Sequence, residues 1–228
     1  MKWKEWNELP EELQVTEVRE YYDILSKKRR SLRLKRCFDI LAALIILVGL
    51  SPIMLIIAVL IIVDSPGGVF YCQERVTQYG KIFHIHKFRT MIANADKFGS
   101  LVTVQNDNRV TKMGKYLRKY RLDELPQVFD VLAGNMSFVG TRPEATKYTK
   151  HYTNEMKATL LLPAGITSKA SIHYKDEAIL LDGAEDADKV YVEQVLPEKM
   201  KYNLESLKHF SFADDITTML KTVLAVLR

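Results

Sequence analysis

The chain has 228 residues, a formal net charge of +5 and two cysteines. This length is sufficient for one domain with a substantial core and an appendage. Cys37 and Cys72 have no motif spacing, which argues against a disulfide framework or a zinc site and fits a reducing, cytoplasmic location. The excess of cations predicts an anionic partner, which is lipid, a phosphorylated substrate or nucleic acid.

The first 32 residues are polar and end in a basic segment. A helix is predicted from Thr16, because apolar residues recur at helical spacing. Seven of the ten residues from Lys27 to Arg36 are basic, and an apolar run follows at once. Near a membrane, each Lys or Arg gains roughly 1 kcal/mol from anionic lipid. We therefore predict that anionic membrane lipid, rather than nucleic acid, contacts this segment.

The apolar run Ile40–Val63 predicts a membrane helix. As one straight helix it would measure about 36 Å, which is enough to span a bilayer. Pro52 predicts a kink near its centre, and Ser51 would ease it by a hydrogen bond to the Leu47 carbonyl. Each half is too short to cross alone, so the run is either a kinked span or a re-entrant helix. The distribution of basic residues slightly favours the simple span.

A β-hairpin is predicted over residues 69–88. Lys87 and Arg89 share one face of its second strand and form a candidate phosphate-binding edge. His84 and His86 share the other face. A His-x-His pair on a strand can hold a metal, but no third ligand stands at a recognisable spacing, so we favour no metal there.

Two adjacent acids, Asp123 and Glu124, follow a basic helix predicted over Asn108–Arg121. Taken alone, Asp123 is more simply explained as the N-cap of a short helix that ends before Gly134. Arg142 lies downstream between glycine and proline. Acids in a basic setting suit a site that handles phosphate together with a divalent cation.

The rest of the chain is predicted to be mainly helical. Helices are expected over Ala145–Leu162, Tyr191–His209 and Asp214–Arg228, and a strand over Ile166–Tyr174. Asp186-Ala187-Asp188 matches the Asp-x-Asp pattern with which many glycosyltransferases hold a metal-bound nucleotide sugar. Its acidic, Gly-containing context more simply indicates a solvated loop. The predicted fold is α+β, mainly helical with a short β-hairpin.

Several segments occur in an order that resembles the bacterial sugar transferase family, the monotopic polyprenyl-phosphate phosphoglycosyl transferases. The resemblance covers residues 33–228 and is most specific over Leu122–Pro143. It is closest to the small, catalytic-core type, because no multi-span segment precedes the apolar run. The segments are the basic stretch, the helix interrupted by Ser51-Pro52, Gln73-Glu74-Arg75, Lys87-Phe88-Arg89-Thr90-Met91, Leu122–Gln127, Gly134–Gly140 and Arg142-Pro143-Glu144.

The resemblance implies a membrane enzyme at the cytoplasmic face of the inner membrane. Such enzymes move a sugar-1-phosphate from a nucleotide diphosphate sugar, usually a UDP-sugar, to polyprenol phosphate. It assigns Asp123 as the nucleophile that forms a covalent phosphosugar intermediate, and Glu124 as a ligand of Mg²⁺. The expected phosphate-binding residues are Arg142, Lys87, Arg89 and Arg118.

By the same resemblance, the helix is re-entrant and bends at Ser51 and Pro52, which makes the protein monotopic. Three parts follow: an N-terminal extension with its basic segment over residues 1–32, the re-entrant helix over 33–66 and a cytoplasmic catalytic domain over 67–228. Thr141 departs from the family pattern, which usually has proline there, and so do residues 164–181.

Two other functions fit parts of the sequence. A membrane-anchored scaffold of a glycan assembly complex would use the basic and amphipathic segments without catalysis. A nucleic-acid-binding protein would need stacking aromatics and a known module, and neither is evident, so we expect no nucleic acid partner. The sequence is compatible with a homodimer and specifies neither the sugar nor the glycan.

Overall fold

The computed structural model describes residues 3–95, 107–174 and 186–227, which form a mainly helical fold with two small sheets. The helices are α1 (Thr16–Ser26), α2 (Arg29–Asp64), α3 (Lys112–Lys119), α4 (Gln127–Ala133), α5 (Thr146–Thr149), α6 (Lys169–His173), α7 (Ala187–Val190), α8 (Leu196–Lys208) and α9 (Phe212–Leu227). The strands are β1 (Phe70–Val76), β2 (Ile82–Phe88), β3 (Met136–Val139) and β4 (Ala164–Thr167).

The two sheets differ in direction. β1 and β2 pair antiparallel, which confirms the predicted hairpin, and β3 pairs with β4 in parallel. At the end of the parallel pair the backbone approaches so closely that a Cβ on Gly165 would lie 2.1 Å from the nitrogen of Gly140. The Gly140 N–H donates to Thr167, and the Gly165 N–H donates to the carbonyl of Thr141. These bonds hold the loop before Arg142 without the proline that the family pattern has at position 141.

α2 is one continuous helix that passes through Pro52. Pro52 has no N–H for the carbonyl of Val48, four residues back. The hydroxyl of Ser51 donates to that same carbonyl at 2.9 Å. The predicted bond to Leu47 is therefore wrong, because the carbonyl that proline leaves unpaired is the one that needs a donor. α2 is long and apolar enough to cross a membrane by length and composition.

Both halves of α2 pack on the rest of the protein along one face. In the first half, Ala43 joins a buried cluster with Val131 and Met136. In the second half, Ile57 and Ile61 join another cluster formed with β2 and α3. The opposite face of the helix is exposed and apolar, with Leu41, Ile45, Val48, Leu55, Ile62 and Val63.

The N-terminal extension shares a core with the C-terminal part of the chain. Leu9, Leu13 and the buried face of α1 pack against the segment 158–162 and the end of α8. Trp3 and Trp6 each lie 5.2 Å from the ring of Tyr22, between ring centroids. The extension is therefore an integral layer of the fold, and the helix predicted from Thr16 is confirmed.

Two predicted elements are wrong. The predicted helix over residues 145–162 is interrupted between α5 and the 3-10 helix Met156–Leu161. The hydroxyls of Thr149 and Thr153 bond to nearby backbone groups there, and such bonds compete with a helix. The predicted strand 166–174 stops at Thr167, because Ser168 caps α6 by accepting from the N–H of Ser171.

Candidate active site

The two adjacent acids lie in a 3-10 turn, Leu122–Glu124, between α3 and α4. The chain enters this turn through Arg121, whose φ of 55° is left-handed and uncommon for a residue with a side chain. The residue before α4 is Pro126, and no side chain caps either element. The N-cap explanation of Asp123 is therefore wrong. Its side chain instead turns inward, with the residue 8% exposed.

Glu124 is surrounded by cations. Its Oε1 accepts from Arg142 Nη2 at 2.5 Å and from Lys87 Nζ at 3.1 Å, and Arg121 Nη1 lies 3.9 Å away. Burial alone would raise the pKa of Glu124, but the charges of Arg142 and Lys87 outweigh it and hold that pKa well below its usual value. Glu124 therefore stays ionised and fixes two cations beside the turn.

Asp123 has the opposite electrostatic environment. Burial raises its pKa above the usual value, Lys87 opposes that rise, and the charge of Glu124 adds to it. Among the described residues, none donates a hydrogen bond to the Asp123 carboxylate. The neighbouring acids thus differ: one is held by cations, and the other is a buried carboxylate that retains its acceptor capacity.

Two further arginines act on the charged residues of this region. Arg118 Nε donates to the Thr90 hydroxyl at 2.9 Å, and its charge acts on Asp123. Arg75 was missed as a site residue by the sequence reasoning, although its Gln-Glu-Arg motif was noted. It donates to Gln73 at 2.5 Å, and its charge acts on Lys87. Burial lowers the pKa of Arg75, as does the charge of Arg142.

Arg89 lies elsewhere. Its guanidinium donates to the carbonyls of Ser65 and Pro66, both at 2.6 Å, just beyond the C-terminus of α2. A cation is favourable at a helix C-terminus. The predicted shared face with Lys87 is not formed, because β2 ends at Phe88 and the alternation of side chains ends with it.

A cavity of about 780 Å³ opens beside Glu124 and Arg142. This volume lies within the range of small-molecule sites. Its charged side is formed by the end of α3 and the turn, and its other side is formed by apolar side chains of several elements. The structure thus brings together Asp123, Glu124, Lys87, Arg118 and Arg142 of the predicted residues, and adds Arg75.

A model of the bacterial sugar transferase family matches residues 30–228 of the chain. The chain belongs to the bacterial sugar transferase family. The match covers nearly all of α2, the hairpin, the acidic turn and all later elements. The N-terminal extension before residue 30 lies outside it.

Curated relatives agree with this assignment. The chain is 36% identical over 197 residues to a UDP-N-acetylgalactosamine-undecaprenyl-phosphate N-acetylgalactosaminephosphotransferase of Aeromonas hydrophila, covering 85% of this chain and 44% of that protein. It is 35% identical over 195 residues to a UDP-glucose:undecaprenyl-phosphate glucose-1-phosphate transferase of Xanthomonas campestris pv. campestris, covering 83% and 38%. An exopolysaccharide production protein of Rhizobium leguminosarum bv. phaseoli is 45% identical over 113 residues, covering 49% and 56%. The chain spans roughly half or less of the length of these relatives.

The side chains near the acidic turn determine which metal ion this site could hold. Among the described residues, no three His, Cys, Asp or Glu side chains converge as a metal site. His86 Nδ1 instead contacts Asp130 Oδ1 at 2.8 Å. Mg²⁺ is commonly held by one or two carboxylates together with substrate phosphate and water. The pair Asp123 and Glu124, set among phosphate-suited cations, fits that mode.

The Asp-x-Asp pattern has a structural role in the fold. Asp186 caps α7 by accepting from the N–H of Lys189 at 3.0 Å. Asp188 accepts from Lys147 Nζ at 2.6 Å and from the Tyr148 hydroxyl at 2.5 Å. These contacts use both acids within the fold. The predicted solvated loop is wrong here, because Asp188 lies in α7 and its side chain is only partly exposed.

Proposed function

We propose that this sugar transferase moves a sugar-1-phosphate from a nucleotide diphosphate sugar, a UDP-sugar, to polyprenol phosphate, and so starts the assembly of a glycan. The observation that carries the proposal is the unequal acidic pair, Asp123 and Glu124, of which Glu124 lines a cavity together with Arg118, Arg121 and Arg142. The relatives in Aeromonas and Xanthomonas have names that specify undecaprenyl phosphate and a UDP-sugar, which supports this choice of substrates.

In the first step, an oxygen of Asp123 attacks the phosphorus that carries the sugar. A bond forms between Asp123 and this phosphorus, and the bond from phosphorus to the bridging oxygen breaks. The nucleoside monophosphate, UMP, leaves with that oxygen and its electron pair. The Asp123 carboxylate is buried, and no described residue donates a hydrogen bond to it. Such a carboxylate suits this nucleophilic role.

The cations around Glu124 bind the diphosphate and hold its charge. Arg142 presents a planar fork that suits two phosphate oxygens, while Lys87 and Arg118 supply point contacts from either side of the turn. Glu124 orients Arg142 and Lys87 before the substrate arrives. Bound Mg²⁺, held by Glu124 and the phosphates, would neutralise charge that otherwise repels the attacking carboxylate.

In the second step, a phosphate oxygen of polyprenol phosphate attacks the same phosphorus. The bond from phosphorus to Asp123 breaks and the carboxylate is restored. The product is a polyprenyl-diphosphate sugar. Because both half-reactions place a phosphate anion next to the same carboxylate, one set of cations serves donor and acceptor in turn.

A covalent adduct on Asp123 is the direct test. The purified transferase is incubated with a panel of UDP-sugars, without acceptor, and UMP release and peptide masses are measured. We expect stoichiometric UMP and a phosphosugar on the peptide that contains Asp123, with neither in Asp123→Asn. Asp130→Asn is the matched control, since Asp130 is a buried acid of α4 that contacts His86. Full activity in Asp123→Asn would overturn the mechanism.

Magnesium has a separate test. Removal of divalent cations with EDTA is expected to stop UMP release, and added Mg²⁺ is expected to restore it. Restoration should weaken in Glu124→Gln, measured as a higher Mg²⁺ concentration for half-maximal rate. An EDTA-treated enzyme that keeps its full rate would show that the proposed cation is not needed.

We further propose that α2 is re-entrant at the cytoplasmic face of the inner membrane and bends at Ser51 and Pro52. The support is that the protein contacts both ends of α2. Asp39 accepts from the Ser137 hydroxyl at 2.8 Å, and Asp64 accepts from the N–H of Met113 at 2.9 Å. An extended span would place these two acids on opposite sides of the bilayer.

Accessibility labelling tests this topology. Single cysteines at positions 33 and 112 are placed in a chain whose exposed Cys37 and Cys72 are replaced by serine. We expect a membrane-impermeant reagent to label both positions from the same side. Labelling from opposite sides would contradict the re-entrant helix and favour a simple span.

A further inference from the structure

The cavity beside the acidic turn has two chemically different sides. One side carries Arg118, Arg121, Glu124 and Arg142. The remaining lining residues come from separate elements and are mostly apolar, with Ile46, Val128, Phe138, Ile166, Ile172 and Ala225 beside the hydroxyls of Thr167, Ser171 and Thr222. A ligand that fills the cavity therefore needs a charged end and an apolar end.

A sugar nucleotide suits the charged side better, because the Thr167 and Thr222 hydroxyls on the other side are bonded to each other and that of Ser171 to Ser168. The hydroxyl groups and base of a sugar nucleotide require hydrogen-bond partners, and burying them against aliphatic side chains without partners costs free energy. The apolar side offers contacts of the kind that hydrocarbon needs. In the proposed reaction, the acceptor is the substrate that joins a phosphate to a hydrocarbon chain.

Two of the elements that line the cavity, α2 and α9, also carry exposed apolar side chains. α9 runs beside the first half of α2: Lys35 pairs with Asp215 at 2.8 Å, Phe38 contacts Phe212, and Met219 packs on the cluster around Ala43. Further along, Ile46 of α2 and Ala225 of α9 line the cavity together.

The outer face of α9 is exposed and apolar. Leu220, Val223 and Leu224 are each more than half exposed. They share this property with the exposed face of α2 beside them, at Leu41 and Ile45. On the inner side, the Thr222 hydroxyl lies 2.7 Å from that of Thr167, which fixes α9 over β4. α9 is thus a wall between lipid-suited surface and cavity.

We propose that the prenyl chain of the acceptor enters between α2 and α9 and occupies the apolar side of this cavity. This inference rests on the proposed function and adds the acceptor subsite to it. The phosphate of the acceptor then reaches Arg142 beside Asp123, while the first isoprene units contact Ile46, Ile172 and Ala225. The remainder of the chain stays in the bilayer.

Filling the apolar side tests the proposal. Ala225→Trp and Ile172→Trp narrow it from two different elements. Leu224→Trp is the matched control, because it adds the same side chain to the exposed face of the same helix, where an interfacial tryptophan is favourable. Each full-length variant is placed in nanodiscs of phosphatidylethanolamine and phosphatidylglycerol with defined amounts of undecaprenyl phosphate.

Two rates are measured for each protein. The first is UMP release without acceptor, which reports the donor half-reaction. The second is the KM for undecaprenyl phosphate at saturating UDP-sugar. We expect this KM to rise about tenfold or more in Ala225→Trp and Ile172→Trp, as for lost apolar pocket contacts, while UMP release is retained. Leu224→Trp should match the wild type in both.

The outcomes separate the inference from the function on which it rests. An unchanged acceptor KM in both cavity variants, with UMP release retained, would overturn the acceptor subsite and leave the proposed function intact. A matching loss in both half-reactions would assign the apolar side to the donor and also overturn it. Wild-type protein that releases no UMP with any UDP-sugar would instead contradict the covalent mechanism.

Discussion

Two clusters of charged side chains lie on either side of Pro143, and they differ in how their charges are paired. In the first, Glu144, Tyr191 and Lys199 are all buried. The Tyr191 hydroxyl donates to Glu144 at 2.6 Å, and Lys199 donates to that hydroxyl at 2.9 Å while lying 3.5 Å from the carboxylate. Glu144 and Lys199 are joined through the Tyr191 hydroxyl, and the charge of Arg75 also acts on Glu144 and Tyr191.

The second cluster surrounds the acidic turn. Glu124 accepts from Arg142 and Lys87, whereas Asp123 accepts from none of the described residues. The cations that act on these two acids outnumber them: Lys87, Arg118, Arg121 and Arg142. This cluster borders a cavity, and the first does not line it.

The contrast shows that buried charge by itself does not mark a reactive site. A cluster whose acid is bonded to a buried lysine and a buried hydroxyl, away from any cavity, holds the fold together. A cluster with surplus cations and an acid without donors is stable only near solvent or a ligand, and it suits a phosphate substrate. The following variants are chosen to break one cluster at a time.

The largest expected effect is the loss of activity in Asp123→Asn. UMP release should fall by on the order of 10³-fold or more, because the nucleophile is removed. The melting temperature should stay the same or rise, since burial disfavours the ionised form of Asp123 in the folded state. Calorimetry together with the rate assay checks both effects.

Asp130→Asn is the control with the opposite expectation. Asp130 accepts from the backbone N–H of His86 at 2.9 Å and contacts its ring. Its change should lower stability by about 1–2 kcal/mol through lost hydrogen bonds, with UMP release per folded molecule retained. A variant of Asp123 that unfolds like the Asp130 variant would remove the distinction between the two acids.

The next largest effects on stability and rate are expected for Glu144→Gln and Glu124→Gln. Removing the Glu144 charge leaves Lys199 buried without its acid, so we expect a loss of about 2–3 kcal/mol in the free energy of unfolding and little change in rate. Glu124→Gln should lower the rate about 100-fold, because Arg142 and Lys87 lose their orientation. Its cost in stability should be smaller, since those cations are partly exposed.

Chemical denaturation and UMP release, measured on the same preparations, decide between these expectations. Lys199→Met should resemble Glu144→Gln, because either change leaves one buried charge without its partner. If Glu144→Gln abolished the rate at full stability, the first cluster would belong to the catalytic site, and the comparison between the two would fail.

The two acids of the turn could be proposed as a site from sequence because the evidence for them is local. Asp123 and Glu124 are adjacent, and Arg142 follows within a short segment of specific order. The positions of Arg89 and Arg75 could not be predicted from sequence, because they depend on where β2 ends and which way the hairpin faces. Sequence alternation placed Arg89 beside Lys87, but the strand stops before it.

In the fold, too, elements with a local sequence signal were predictable and those set by tertiary contacts were not. α1 and α9 are amphipathic over several turns, and α4 ends where Gly134 adopts a left-handed conformation, so pattern and punctuation identified them. The segment 145–162 was misjudged because threonine hydroxyls compete with the backbone for hydrogen bonds. The contact of both halves of α2 with one body is tertiary, and no local signal encodes it.

The smallest expected effect is on pH dependence, and it tests the charge balance of the reactive pair. Asp123 must be ionised to attack, so the rate falls as the pH drops through its pKa. Lys87 lowers that pKa and Glu124 raises it. Lys87→Met should therefore move the acidic limb of kcat/KM to higher pH, and Glu124→Gln should move it to lower pH.

The position of the limb is compared rather than the absolute rate, because both residues also act in binding the phosphate. Lys201→Met, which changes an exposed pair with Glu198, should leave the limb in place. A shift in the same direction for both variants would mean that a group other than Asp123 controls the acidic limb.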